Sequence, residues 1–432
     1  MSEGPSPNGR RPGTPAAEEQ PRLSAVFGIG EFRAIWLADL LSIMGDQLAR
    51  VALAVLVYGR TGSAAWAAAT YALTFLPAIV GGVTLSGLAD RYPRRVVLVV
   101  SDLVRAVLVA VMALPGLPLP VLCAVLVAVV LFGAPHTAAR GALLPELLPG
   151  DLYERGLAVS QITSQTAQVV GFAAGGLLVA AVSPSTALLL DAATFLLAAV
   201  VLRLGLTRRP RPVRPAGAPA AGGLRDAVAG IADIATDPRR RALVILVWMV
   251  GLYVVPEALA APYADEIGAG TAVVGLLMAA DPLGSVLGAW LFVRFVSPRR
   301  RARLVGVLAI AAGLPLLLTA LRPGVPLTLL LWGLSGMAST AYVMQAQASF
   351  VRATPDAIRG RAIGVAASGI IAGQGVAVLL GGVLADVWSP STSIAVCAGI
   401  GVATAAVGAV AWRRASRHRE VPDAAAIPPT IV

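Results

Sequence analysis

Twelve stretches of this chain stay apolar for long enough to cross a lipid bilayer, and no other feature constrains its fold so tightly. A helix rising 1.5 Å per residue needs about 20 residues to traverse a hydrocarbon core about 30 Å thick. The stretches run 32–58, 64–89, 96–114, 118–139, 154–182, 186–204, 241–262, 272–293, 303–321, 325–350, 361–385 and 391–412. In lipid every backbone N–H and C=O must be satisfied within its own segment, so such runs form helices. Composition agrees: 57% of residues are hydrophobic and 13% charged, where soluble domains carry about 25% charged residues. A soluble enzyme and a disordered chain are both excluded.

Breaks between the stretches set the connectivity. Pro115-Gly116 and Ser183-Pro184-Ser185-Thr186 mark tight hairpins. The longest interruption, 205–240, carries Arg208, Arg209, Arg211, Arg214, Arg225, Arg239 and Arg240 among Pro and Gly, and reads as a linker between two halves. A short surface helix fits within it near 224–236. Residues 1–25 and 413–432 read as polar cytoplasmic tails, the first of them disordered. The expected domains are therefore 26–204, a six-helix bundle, and 241–412, a second one.

The net charge is +11. On a soluble chain that would suggest nucleic acid; here the Arg residues cluster in alternate loops, which sets topology instead. Arg91, Arg94, Arg95, Arg155, Arg299, Arg300, Arg301, Arg359 and Arg361 lie on one side, with the tails. The opposite loops hold Arg60, Arg322, Asp265 and Glu266. An even number of spans with both termini in the cytoplasm follows, in the cell (inner or plasma) membrane.

The halves repeat. Gly175-Gly176 and Ser183-Pro184-Ser185-Thr186 recur 206 residues later as Gly381-Gly382 and Ser389-Pro390-Ser391-Thr392. At the same offset Pro149 matches Pro355, Arg155 matches Arg361, and Gln168 matches Gln374. Two similar membrane bundles can rock against each other around a site between them.

Absent residue types remove whole chemistries. All 34 basic residues are Arg, so a phosphate-gripping or Schiff-base Lys is excluded. Two Cys (Cys123, Cys397) and two His (His136, His418) cannot build a metal cage. No cofactor and no metal are expected. His136 reads as an interfacial residue.

The sharpest motif is Gly87-Leu88-Ala89-Asp90-Arg91-Tyr92-Pro93-Arg94-Arg95. Gly87 permits close helix approach. Asp90 suits a helix N-terminus or an Arg partner. Arg94 and Arg95 suit anionic headgroups. Asp102 and Arg105, one turn apart, fit the same network. This stretch resembles the loop signature of the major facilitator superfamily. The wider chain is similar to its drug-proton antiporter branch, which includes macrolide-efflux and siderophore-export proteins. Supporting residues are Phe32-Arg33-x-x-Trp36, Ser42-x-x-Gly45-Asp46, Ser101-Asp102-Leu103-x-Arg105 and Leu144-Pro145-Glu146-Leu147. The resemblance implies an all-α membrane protein, with twelve transmembrane helices in two pseudo-symmetric six-helix bundles, working by alternating access. It also implies that Asp90 holds a cytoplasmic gate in the outward-facing state, and that Arg140 sits where the family often places a functional Arg. Two departures stand out. Helix five lacks the Gly-Pro that precedes the Gly-Gly pair in antiporters, and Arg294 to Arg301 has lost the loop Asp.

Ionisable groups within the apolar runs are the candidate site, because a charge at mid-bilayer costs about 2.5–3.5 kcal/mol unless paired or facing a cavity. Asp46 and Arg50 share a face of helix one, as an ion pair or as a cavity carboxylate tuned by its neighbour. Asp39 reads as water-accessible. Glu257 follows Pro256 without an evident partner and suits a proton carrier. Asp281 precedes Pro282 and suits a backbone group freed by it. Asp191 and Asp386 read as solvated at the outer ends. Gln161, Gln165 and Gln168 line one helix face, and Gln345 and Gln374 extend the polar set; they act as interhelical glue or as cavity lining.

The reading that unites these residues is a monomeric secondary transporter. It exports a small hydrophobic or cationic molecule, of drug, antibiotic or siderophore type, with the proton as coupling ion and no ATP. Alternatives are an importer or facilitator of a small metabolite, or a membrane sensor or scaffold that no longer transports. An integral-membrane enzyme lacks the constellation it would need.

Overall fold

The structure, a computed structural model, describes residues 23–211 and 224–417. The tails expected at 1–25 and 413–432 lie largely outside the described residues, as does the middle of the linker. Every regular element among the described residues is helical.

The first half comprises α1 (Gly30–Thr61), α2 (Ala64–Ala72), α3 (Leu76–Thr84), α4 (Leu88–Arg91), α5 (Arg94–Met112), α6 (Leu119–Leu147), α7 (Asp151–Ala181) and α8 (Pro184–Gly205). A linker helix, α9 (Leu224–Thr236), follows. The second half comprises α10 (Pro238–Trp248), α11 (Gly251–Ala258), α12 (Ala260–Glu266), α13 (Thr271–Phe295), α14 (Pro298–Leu317), α15 (Val325–Ala353), α16 (Asp356–Val387) and α17 (Pro390–Arg417). The pieces α2–α4 make one interrupted span, and α10–α12 another. Pro77 opens α3, and Pro256 lies within α11; each removes a backbone donor where the span is segmented.

Eleven helices among the described residues are long and apolar enough to cross a membrane. The remaining element at a span position is α5, which holds Arg95, Asp102 and Arg105 within nineteen residues. Its charge, not its length, sets it apart, and it packs between α6 and α8. Large apolar side chains such as Leu204 (80% exposed) and Phe295 (68%) face outward, as lipid requires and water would not tolerate in such number.

The packing repeats between halves. In the first, α8 lies on α1 and α5, and α5 on α6; in the second, α17 lies on α10 and α14, and α14 on α15. Matching serines cap matching helices: Ser183 Oγ accepts from Thr186 N at 3.1 Å, and Ser389 Oγ from Thr392 N at 3.2 Å. The halves join through two equivalent seams, α7 on α13 and α2 on α16.

The repeated glycine pairs make those seams. A Cβ on Gly176 would stand 2.6 Å from the Ala272 carbonyl oxygen and 2.8 Å from Gly275 Cα. A Cβ on Gly382 would stand 3.1 Å from Ala65 Cα and 3.2 Å from the Ala64 carbonyl oxygen. Only hydrogen fits at such approaches. Both seams lie toward the Arg-poor loops. Polar bonds reinforce that end: Tyr58 donates to Asp265 at 2.9 Å, and Ser63 Oγ and Ala64 N donate to Asp386 at 2.6 Å each.

Toward the Arg-rich loops the same helices are bare. The opening turns of α7 and α16 are mostly exposed, while their later turns are buried. The two halves are therefore closed at the Arg-poor end and parted at the Arg-rich end. Both described termini lie at the Arg-rich end: Val26 is buried with Ala89 and Leu144, and Arg239 donates to the Ala415 carbonyl at 2.8 Å.

Candidate functional site

A cavity of about 520 Å³ penetrates the first half between α1, α3, α5, α6 and α8. Its walls are largely aliphatic, with Asp46, Arg50, Arg105, His136 and Asp191 as the ionisable exceptions. Arg105 crosses from α5 to grip Asp46 on α1, with Nη2 at 2.9 and 3.1 Å from the two carboxylate oxygens. The guanidinium also lies over the Phe195 ring, 4.0 Å from its centroid. Asp191 completes the group from α8; it is 1% exposed and takes a 3.3 Å bond from Thr194 Oγ1.

This corrects the pairing expected from spacing. Arg50 is not the partner of Asp46. It lies 5.8 Å from the centroids of both the Tyr71 and Phe75 rings, and its charge acts on Glu257. A face shared within α1 put Asp46 and Arg50 together; packing of α5 against α8 offers Asp46 a closer cation. Asp191 is likewise no solvated outer residue.

Glu257 has the partner the sequence did not reveal. Tyr71 on α2 donates its hydroxyl to Glu257 on α11, joining the two halves. Asp281 on α13 lies against Ser285 and the Gly336 backbone, not against a group freed by Pro282. Its charge also acts on Tyr71.

A third cluster sits nearer the Arg-rich end. Arg140 Nε donates to Asp39 Oδ2 at 2.5 Å. His136 Nε2 lies 3.4 Å from Asp102 Oδ1. Neither His136, 8% exposed, nor Asp39 is the water-facing residue that position along the helix suggested. Asp102 and Arg105 do not join the loop motif; each reaches a different inner cluster.

The loop motif is tied to its own half. Arg94 donates to the Ala142 carbonyl at 2.8 Å and pairs with Glu146; Arg95 donates to the Arg203 carbonyl. These are protein contacts where headgroup contacts were expected. Asp90 and Arg91 are exposed. A Cβ on Gly87 would meet nothing within 4 Å, so no helix approaches there in this state.

The glutamines divide. Gln168 Nε2 donates to Gln165 Oε1 at 3.3 Å, and Gln345 Nε2 to Ser349 at 3.1 Å. Gln161 is exposed on the bare stretch of α7, and Gln374 is half-buried on α16. They form local pairs along the cleft, not one continuous stripe.

Comparison with known proteins agrees with this architecture. The family model described as Major Facilitator Superfamily matches residues 35–259 and 243–430. The multidrug efflux pump Tap of Mycolicibacterium fortuitum is 30% identical over 387 residues, covering 83% of this chain and 90% of that one. The enterobactin exporter EntS of Escherichia coli O1:K1 is 27% identical over 360 residues, covering 81% and 84%. Among solved structures, the nucleoside transporter NupG superposes with a TM-score of 0.68 at 14% identity, covering 88% of this chain and 99% of that one. A bacterial homologue of the human lysosomal transporter Spinster, inward-facing and occupied, gives 0.69 at 14%, covering 89% and 96%.

Proposed function

This chain belongs to the Major Facilitator Superfamily, a multi-pass membrane transporter of small molecules, and on that premise we propose that it is a proton-coupled exporter of a small hydrophobic or cationic molecule. The observation that carries the reading is the Asp46–Arg105 pair, set in a mostly aliphatic 520 Å³ cavity beside a second carboxylate, Asp191. Two acids on one guanidinium leave a net attraction for a proton or a cation. Aliphatic walls favour an apolar body. The two relatives named as an efflux pump and an exporter support the outward direction.

With the Arg-rich face in the cytoplasm, the structure stands open to the compartment from which an exporter loads. Substrate enters between the parted ends of α7 and α16. The Tyr71–Glu257 bond and the glycine seams are what the rocking motion must break on the far side. In the alternate state Asp90 meets the second half, and the loop motif closes the loading side. One inward proton contributes about 1.4 kcal/mol per pH unit and about 2.3 kcal/mol per 100 mV. Their sum, about 3.7 kcal/mol, sustains a gradient of several hundred-fold.

The test is accumulation of the cationic dye Hoechst 33342 in efflux-deficient cells expressing the chain. Expression should lower dye content, and an uncoupler should restore it. Asp46→Asn should abolish the effect. Dye levels unaffected by the uncoupler, or full export by Asp46→Asn, would overturn the coupling.

A further inference from the structure

Asp102 is fully buried, yet among the described residues no protein group donates a hydrogen bond to either of its carboxylate oxygens. His136 Nε2 lies 3.4 Å away and, among the described residues, has no hydrogen-bond partner either. A bare carboxylate in such a place is heavily penalised by lost hydration. One proton, on the imidazole or on the carboxyl, supplies the missing donor.

The surroundings make that proton exchangeable. Asp39 and Asp46 approach from α1, Arg105 from α5, Arg140 from α6 and Asp191 from α8. The α3 segment brings no ionisable side chain, and Asp90 and Arg91 of α4 are exposed. Arg50 lines the same cavity but is turned toward Tyr71 and Phe75. Four carboxylates thus share two guanidiniums, and among the described residues His136 is the further base beside them. Arg105 is engaged by Asp46 and also faces Asp191, and Arg140 is engaged by Asp39; Asp102 has His136 as its basic neighbour instead of a guanidinium.

We propose that His136 and Asp102 together hold one exchangeable proton and pass it between the Asp46 cavity and the Asp39–Arg140 pair at the Arg-rich side. The inference rests on the proton-coupled reading above. His136 and Asp46 line one cavity, so water between them can carry the proton. Asp46 releases it from its carboxyl oxygen and regains its ion pair with Arg105. The imidazole accepts it and stands as a cation against Asp102. Asp39, whose carboxylate feels both groups, takes it next and delivers it to water at the Arg-rich face. One proton moves, and each donor returns to its starting state.

The chain has two histidines, His136 and His418, so ¹⁵N-histidine NMR of the protein in lipid nanodiscs resolves the site without any transport assay. His136→Gln assigns the signal. The pH response of the His136 ring ¹⁵N signals should change in Asp102→Asn and be restored in Asp102→Glu. An identical response in wild type and Asp102→Asn would overturn the proposal. So would an imidazole held in one form from about pH 4 to about 9, which wild type alone reveals should Asp102→Asn fail to fold. In proteoliposomes bearing a pH gradient, His136→Gln should lower Hoechst 33342 accumulation about tenfold, the factor equivalent to about 1.4 kcal/mol. Unchanged accumulation would overturn the relay. A wild type that moves no dye counts against the transport reading alone, and the NMR titration still decides the proton site.

Discussion

Arg105 is the residue on which the first half's interior depends. It is the cation against Asp46, it covers Phe195, and it offsets Asp191. Arg105→Ala leaves two acids without their cation; because Asp46 is partly open to the cavity, the loss should be about 1–3 kcal/mol, the range of a charge-assisted hydrogen bond, and less than that of a fully buried pair. Thermal unfolding of the purified variant should show that loss. Adding Asp191→Asn should recover part of it, because one of the stranded charges is gone; full additivity of the two substitutions would separate the residues energetically. Tyr71 and Glu257 form a second coupled unit across the halves. Tyr71→Phe and Glu257→Gln together should reduce dye export no further than the more damaging of the two alone, measured as initial rates. None of these pairings was legible along the chain. Asp46 and Arg50 share a helical face, and spacing reports only neighbours within one helix. Arg105, Tyr71 and Asp191 come from other helices.

At the scale of elements, apolar run length fixed where the helices lie, because hydrocarbon thickness leaves little freedom. It did not fix their breaks. The second and seventh spans divide into three pieces each, with Pro77 opening α3 and Pro256 inside α11, and periodicity alone does not place such breaks. The repeated Gly-Gly pairs were visible, but their job was not: they are the points where α7 meets α13 and where α16 meets α2. Gly176→Ala places a methyl group against backbone that cannot yield, so the α7–α13 seam should open. Maleimide labelling of a single cysteine at position 272, in a chain freed of Cys123 and Cys397, should rise several-fold over the parent. Unchanged labelling would show that the seam tolerates the methyl. Asp386 acts at the same end by accepting from Ala64 N and Ser63 at the start of α2, a carboxylate on a helix N-terminus. Asp386→Asn keeps the shape but removes the charge, and should raise the same labelling by a smaller factor.

For the whole molecule, the sequence repeat anticipates the pseudo-symmetry, since matching glycines and matching capping serines perform matching tasks. Which end stands open is a property of the assembled halves and has no counterpart in any one motif. Single cysteines at Gln161 and Ile363, on the bare stretches of α7 and α16, should label from the Arg-rich side in membrane vesicles of known orientation. Substrate or a reversed gradient should protect them; equal labelling under all conditions would argue that the halves do not move.

The chain between the halves is fastened at both margins. Arg209 and Thr207 hold Glu31 on α1 at 2.7 Å, while Asp233 on α9 holds Arg361 on α16 at 2.5 Å. Each half thus carries its own mooring, one on either side of residues 212–223. At about 3.3–3.6 Å per residue, the chain from Arg211 to Leu224 can span at most about 45 Å. Because each margin is held to its own half, transport should survive a nick between residues 212 and 223, with the two fragments co-assembling as if they were separate subunits.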